Sequence, residues 1–158
     1  MRVAILSLAV LFVAPSTFAQ PNVHPADRML FKVGIGAGYG GGVTYALPSF
    51  YSDYPCHDNY YHCGGYVSGY QVDGDFDFEV LSTHTLYFSP TSRTDPYVTG
   101  YLGFGSGVEE FGIVWSTEAG INYWLTNEFG LNAFLGYVDG DRFAYTKVGI
   151  GLVLSVSP

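Results

Sequence analysis

The chain has 158 residues, 48% hydrophobic and only 13% charged, with 21 Gly, 14 Tyr and 12 Phe. That mixture is poor in helix formers and rich in residues that favour strands and turns. A formal net charge of −8 with no basic cluster argues against nucleic acid as a partner.

Residues 1–19 read as a signal peptide. Arg2 supplies a short positive region, Val3 to Ala14 is an apolar run too short to cross a bilayer, and Thr17-Phe18-Ala19 offers a small-x-small cleavage site before Gln20. The chain is therefore expected to be exported, with residues 20–158 forming one domain. No later window approaches the roughly 20 apolar residues of a membrane helix, so an exported chain of this kind is a soluble protein or a barrel.

Gln20 to Met29 is an irregular lead-in, with Pro21 and Pro25 blocking regular structure. From Phe31 to Tyr39 the chain alternates, Phe31, Val33, Ile35, Ala37 and Tyr39 opposing Lys32, Gly34, Gly36 and Gly38. A period of two is a strand with two unlike faces. The glycines here are not a phosphate loop, because no helical pattern follows to present amide groups to a phosphate. Gly40-Gly41 predicts a tight hairpin, Val43 to about Phe50 a second strand weakened by Pro48, Tyr51 to Cys63 a loop, and Tyr66 to Val72 a short third strand.

Asp73-Gly74 is a second hairpin signal, and a fourth strand runs from Phe76 to Phe88. His84 falls on its apolar parity, which calls for a bulge near Ser82 or an end that leaves the hydrocarbon. Ser89 to Pro96 reads as a turn, Tyr97 to Phe104 as a fifth strand and Gly105 to Phe111 as a connection. Three further alternating stretches, Ile113–Leu125, Phe129–Tyr137 and Val148–Leu154, are separated by Thr126-Asn127-Glu128 and Asp139-Gly140-Asp141. Their second face is glycine, serine and asparagine with an occasional charge. Small side chains of this type suit the inside of a narrow closed barrel, and aromatics near strand ends suit a lipid interface. The expected fold is an all-β, eight-stranded antiparallel up-and-down transmembrane β-barrel.

The stretches PYVTGYLGFGSG, STEAGINYWLTNEFGLNAFLGYVDGD and TKVGIGLVL resemble, most clearly over 96–152, the small outer-membrane β-barrel proteins of Gram-negative bacteria, the opacity- and OmpA-like group. The resemblance implies an outer-membrane location, contact with outer-membrane lipid, and a structural or surface-interaction role. One departure is the last residue: the group usually ends in an aromatic, whereas this chain ends Val156-Ser157-Pro158.

Four groups of residues bear on chemistry. Cys56 and Cys63 are expected to pair in an oxidising compartment, the sharper alternative being a Cys2His2 metal site with His57 and His62. Asp73, Asp75, Asp77 and Glu79 are spaced by two along a strand, and Phe78 stands where a calcium loop needs glycine. They read as a solvated rim or lumen face, the alternative being a loose divalent cation shared by the Asp-Gly-Asp tips at 73–75 and 139–141. Ser82 and His84 are the candidates for a lipid-modifying enzyme, the first alternative function; a narrow channel or small-ligand binder is the second. No catalytic or cofactor signature is present. The fourth group is in the lumen, where parity places Lys147, Glu118, Glu79 and Asp77. Eight strands enclose a space only wide enough for side chains, so a lone lysine there would be costly, and an ion pair of Lys147 with Glu118 or Glu79 is expected. The alternative is Lys147 reaching out to the rim.

Overall fold

A computed structural model describes residues 28–40, 43–58, 60–72, 75–107, 110–140 and 144–156. The segment read as a signal peptide lies outside them. Eight strands follow in chain order: β1 Met29–Gly40, β2 Val43–Asp58, β3 Tyr61–Val72, β4 Asp75–Tyr87, β5 Thr94–Gly107, β6 Glu110–Trp124, β7 Phe129–Gly140 and β8 Ala144–Val156. Each pairs antiparallel with the next, and β8 pairs with β1, so the sheet is a closed barrel with no free edge. Connections 59–60, 88–93 and 125–128 lie at the same end as the start of β1 and the close of β8, here called the terminal end. The strand ends Gly40, Val43, Val72, Asp75, Gly107, Glu110, Gly140 and Ala144 lie at the other, far end.

Three expectations are corrected. Tyr51 to Cys63 is no loop: β2 runs on to Asp58 and β3 begins at Tyr61, with Tyr54 opposite Cys63 and Pro55 opposite His62. The segment looked loop-like because its inward residues, Tyr51, Asp53 and His62, are polar, but in this lumen polar side chains form the core. Likewise the fifth and sixth strands extend through the region read as a connection, as far as the pair Gly107 and Glu110. The ladder around His84 is unbroken on both sides, so there is no bulge near Ser82; the register shift involving β2 and β3 lies between Pro55 and Asp58. Proline, which cannot donate to a ladder, is tolerated at such a site.

Register also sets the slope of the strands. Stepping across hydrogen-bonded partners from Leu30 leads through Asp53, Gly64, Thr83, Tyr101, Ser116 and Val138 to Tyr145. Tyr145 precedes Thr146, the partner of Tyr39, so the circuit closes level with Gly40, displaced by ten residues toward the far end. A displacement of this size over eight strands gives a tilt of about 40°.

The tilt and the period of two separate the faces. Val33, Ile35, Val67, Val80, Leu102, Ile113, Leu131, Leu135 and Ile150 point outward and are exposed. Exposed aromatics stand toward both ends of this apolar belt, Tyr39, Phe104 and Tyr137 at one and Tyr54, Tyr60, Phe88 and Tyr123 at the other. This is the outer surface of a membrane-spanning barrel, whose apolar band is flanked by aromatic girdles. Inside, large rings share register rows with glycines: Phe134 lies between Gly149 and Gly120, and Gly120 is followed by Tyr97. A methyl group on Gly120 would come 2.4 Å from Tyr97 Cζ, and one on Gly149 would come 2.3 Å from Phe134 Cζ. The glycine content is therefore the space that the rings occupy.

Candidate functional site

The polar lumen is the candidate site, and it is organised around two buried lysines. Lys147, on β8, has no exposed surface, and its Nζ lies 2.9 Å from Glu118 Oε2 on β6. The strand between them contributes Gly136, in the same register row as both. A methyl group there would sit 2.8 Å from Lys147 Cε, so the bare backbone of Gly136 is what lets the lysine reach across. Glu118 also accepts a hydrogen bond from Tyr97 Oη at 2.8 Å, and Asn132 Nδ2 donates to the same Tyr97 oxygen at 3.1 Å and to Asn122 Oδ1 at 2.9 Å. The ammonium of Lys147 lies over the rings of Tyr101 and Tyr66, 4.3 and 4.8 Å from their centroids. Glu79 is held separately, accepting from Tyr145 Oη at 2.6 Å. The side chain of Asp77 lies outside the described residues, as do those of Asp73, Asp75 and Asp141 at the acidic tips.

Lys32, on β1, is the second cation. Its Nζ lies 3.7 Å from the centroid of Tyr97 and 4.4 Å from that of Tyr51, and it has no hydrogen-bond partner among the described residues. Below it, toward the terminal end, Asp53 is fully buried and accepts from Tyr51 Oη at 2.6 Å and Tyr87 Oη at 2.8 Å, while His62 Nδ1 stands 3.2 Å away. Tyr51 also bonds Thr85, which bonds Thr99 at 2.9 Å. A void lined in part by Lys32, Tyr51, Tyr66, Tyr101, Glu118 and Asn132 has a volume of about 20 Å³, room for one water. Trp124, Tyr87, Leu30 and Val153 close the terminal end beneath these groups. Two cations fixed among carboxylates and ring faces rigidify the interior and leave this part of the lumen filled.

Cys56 and Cys63 are joined by a disulfide across the β2–β3 irregularity, their Cα atoms 5.7 Å apart. The Cys2His2 alternative fails on parity: His62 points into the lumen toward Asp53, while its neighbour Cys63 faces outward beside His84. His57 lies outside the described side chains, and no group of three metal-ligating residues occurs among the described ones. The ring closed by this bond is short, and the strands are held by backbone ladders. Reduction should therefore leave the far-ultraviolet circular dichroism strand signal unchanged. Ser82 and His84 both face outward but do not bond each other. Ser82 Oγ donates to Leu102 O at 2.7 Å, and His84 Nδ1 is 2.7 Å from Tyr61 Oη.

Neisserial surface protein A, in its crystal structure, superposes with a TM-score of 0.64 at 12% identity, covering 82% of this chain and 96% of that one. The chain has the fold of a transmembrane β-barrel. A de novo designed transmembrane β-barrel matches at 0.60 and 14% identity, over 87% of this chain and 98% of the design. The N-terminal β-barrel domain of Pseudomonas aeruginosa OprF matches at 0.57 and 14%, over 80% and 97%. At these identities the likeness is one of fold. No family model matches the sequence, and no curated protein matches it.

Within the barrel, the residues that sequence reasoning missed are Lys32, Asp53 and the ring cage of Tyr51, Tyr87 and Tyr97, while His62 was named only as a metal ligand beside the cysteines. Lys32 was legible in one respect, since it lies on the glycine parity of β1. Asp53 and His62 were hidden in a segment whose polarity suggested a loop.

Proposed function

We propose that the chain is a small outer-membrane β-barrel with a structural or surface-interaction role, without catalytic activity, whose lumen is closed by side chains. Residues 1–19 are removed on export, and the terminal end faces the periplasm. The observation that carries the closed lumen is the buried Lys147–Glu118 pair, which reaches across β7, with the rings of Tyr66 on β3 and Tyr101 on β5 against its ammonium. The uncoupled Ser82 and His84 speak against a lipid-modifying enzyme, because an activated serine needs a base within hydrogen-bond reach.

The test is fractionation, N-terminal sequencing and reconstitution. The mature protein should begin at Gln20, fractionate with the outer membrane, shift its gel mobility on heating, and give no large stable conductance in planar bilayers. Recovery as a soluble periplasmic species would reject the barrel reading, and a large steady conductance would reject the closed lumen.

A further inference from the structure

Six lysines and arginines occur in the chain. Lys32 and Lys147 are buried in the lumen, Arg2 lies in the segment read as a signal peptide, and Arg142 lies outside the described residues. Arg28 and Arg93 remain, and both are at the terminal end, anchored to one short stretch of backbone. Arg28 Nη1 donates to Asn127 O at 3.2 Å, and Arg93 Nε donates to Trp124 O at 3.0 Å. The Arg93 guanidinium carbon also lies 5.0 Å from the ring centroid of Tyr123. Among the described residues, neither arginine pairs with a carboxylate.

Tyr123 is also the lower wall of a groove on the lipid-facing surface, with a volume of about 490 Å³. The groove follows the register row Ile121, Ala133, Ile150, Ile35, and it exists because Ala133 is small where its neighbours in the row are branched. Rows run perpendicular to the strands, so at a tilt of about 40° each step from β6 through β7 and β8 to β1 climbs about 3 Å. The row thus starts at Ile121, three residues from the terminal end of β6 and above Tyr123, and rises about 9 Å to Ile35 near the middle of β1. A cation at the interface and an apolar channel rising from it to mid-membrane complement the two parts of a phospholipid.

We propose that this face binds one glycerophospholipid of the terminal-end leaflet, its phosphodiester on the Arg93 guanidinium and one acyl chain in the groove over Ala133. Guanidinium pairs with phosphate through charge-assisted hydrogen bonds, and the acyl chain fills an indentation that neighbouring side chains leave open. Arg28 adds a second positive charge on the other flank of the 125–128 connection. The proposal rests on the membrane-barrel reading above.

The full mature chain, folded in detergent and incubated with phosphatidylglycerol, tests it by native mass spectrometry. The barrel should retain one lipid. Arg93→Gln and Ala133→Leu, the second filling the groove without touching the charge, should each lower retention about tenfold or more. Val80→Leu, on the lipid-facing surface of β4 away from the groove, should retain lipid as the unmodified protein does, and inorganic phosphate at the same concentration should not displace it. Equal retention by the unmodified protein and both variants overturns the site, as does displacement by free phosphate. Heat-modifiability of each sample separates the two failures. A heat-shifted barrel that retains no lipid defeats the lipid site alone, whereas absence of the shift in the unmodified protein defeats the barrel reading and the site together. Should Arg93→Gln fail to fold, the surface variant Ala133→Leu decides the proposal by itself.

Discussion

Glu118→Ala should destabilise the barrel by about 3–5 kcal/mol, the range found when one partner of a buried ion pair is removed. Lys147 would keep its place against Tyr66 and Tyr101 but lose the carboxylate 2.9 Å from its ammonium. Tyr97 would lose the acceptor of its hydroxyl in the same step. Urea unfolding in detergent, followed by the fluorescence of the buried Trp124, measures the change. Glu118→Ala combined with Lys147→Met should recover most of the loss, because an apolar pair of similar volume carries no desolvated charge. A Glu118→Ala protein as stable as the unmodified one would show that the ion pair contributes nothing to the closed lumen.

Asp53→Ala is expected to be comparably damaging, about 3–5 kcal/mol, through a different mechanism. Asp53 is fully buried and gathers two tyrosine hydroxyls and the His62 ring on one carboxylate; alanine would strand Tyr87 and His62 away from water and leave Tyr51 with Thr85 alone. An unsatisfied buried polar group costs roughly 1–3 kcal/mol, so the losses accumulate. Asp53→Asn, which keeps an acceptor oxygen, should fall between the two. If Asp53→Ala unfolds at the urea concentration of the unmodified protein, the terminal half of the lumen is not held by this cluster.

Legibility differed between these two clusters for a physical reason. Lys147 and Glu118 sit in strands whose outward residues are aliphatic or aromatic and whose inward residues are small, so parity alone assigns both to the lumen. Around Asp53 the inward face carries tyrosine, aspartate and histidine, and such a run resembles a solvated connection. Polarity marks a loop in a protein whose core is apolar. In a barrel the apolar surface is outside, and the same polarity marks the interior.

The strand number, the face on which each side chain lies and the antiparallel order follow from the sequence by itself, because period-two sterics and turn chemistry are local. That Lys147 belongs on the glycine face is of this kind. Which lumen groups meet was decided only by the tertiary structure. The β6–β7 and β7–β8 registers align Glu118, Gly136 and Lys147 in one row, and the curvature of the closed sheet brings Asp53 of β2 to Tyr87 of β4. Those contacts depend on non-local register, which a one-residue slip in any ladder would change, and on a glycine of the intervening strand leaving the path between two charges open.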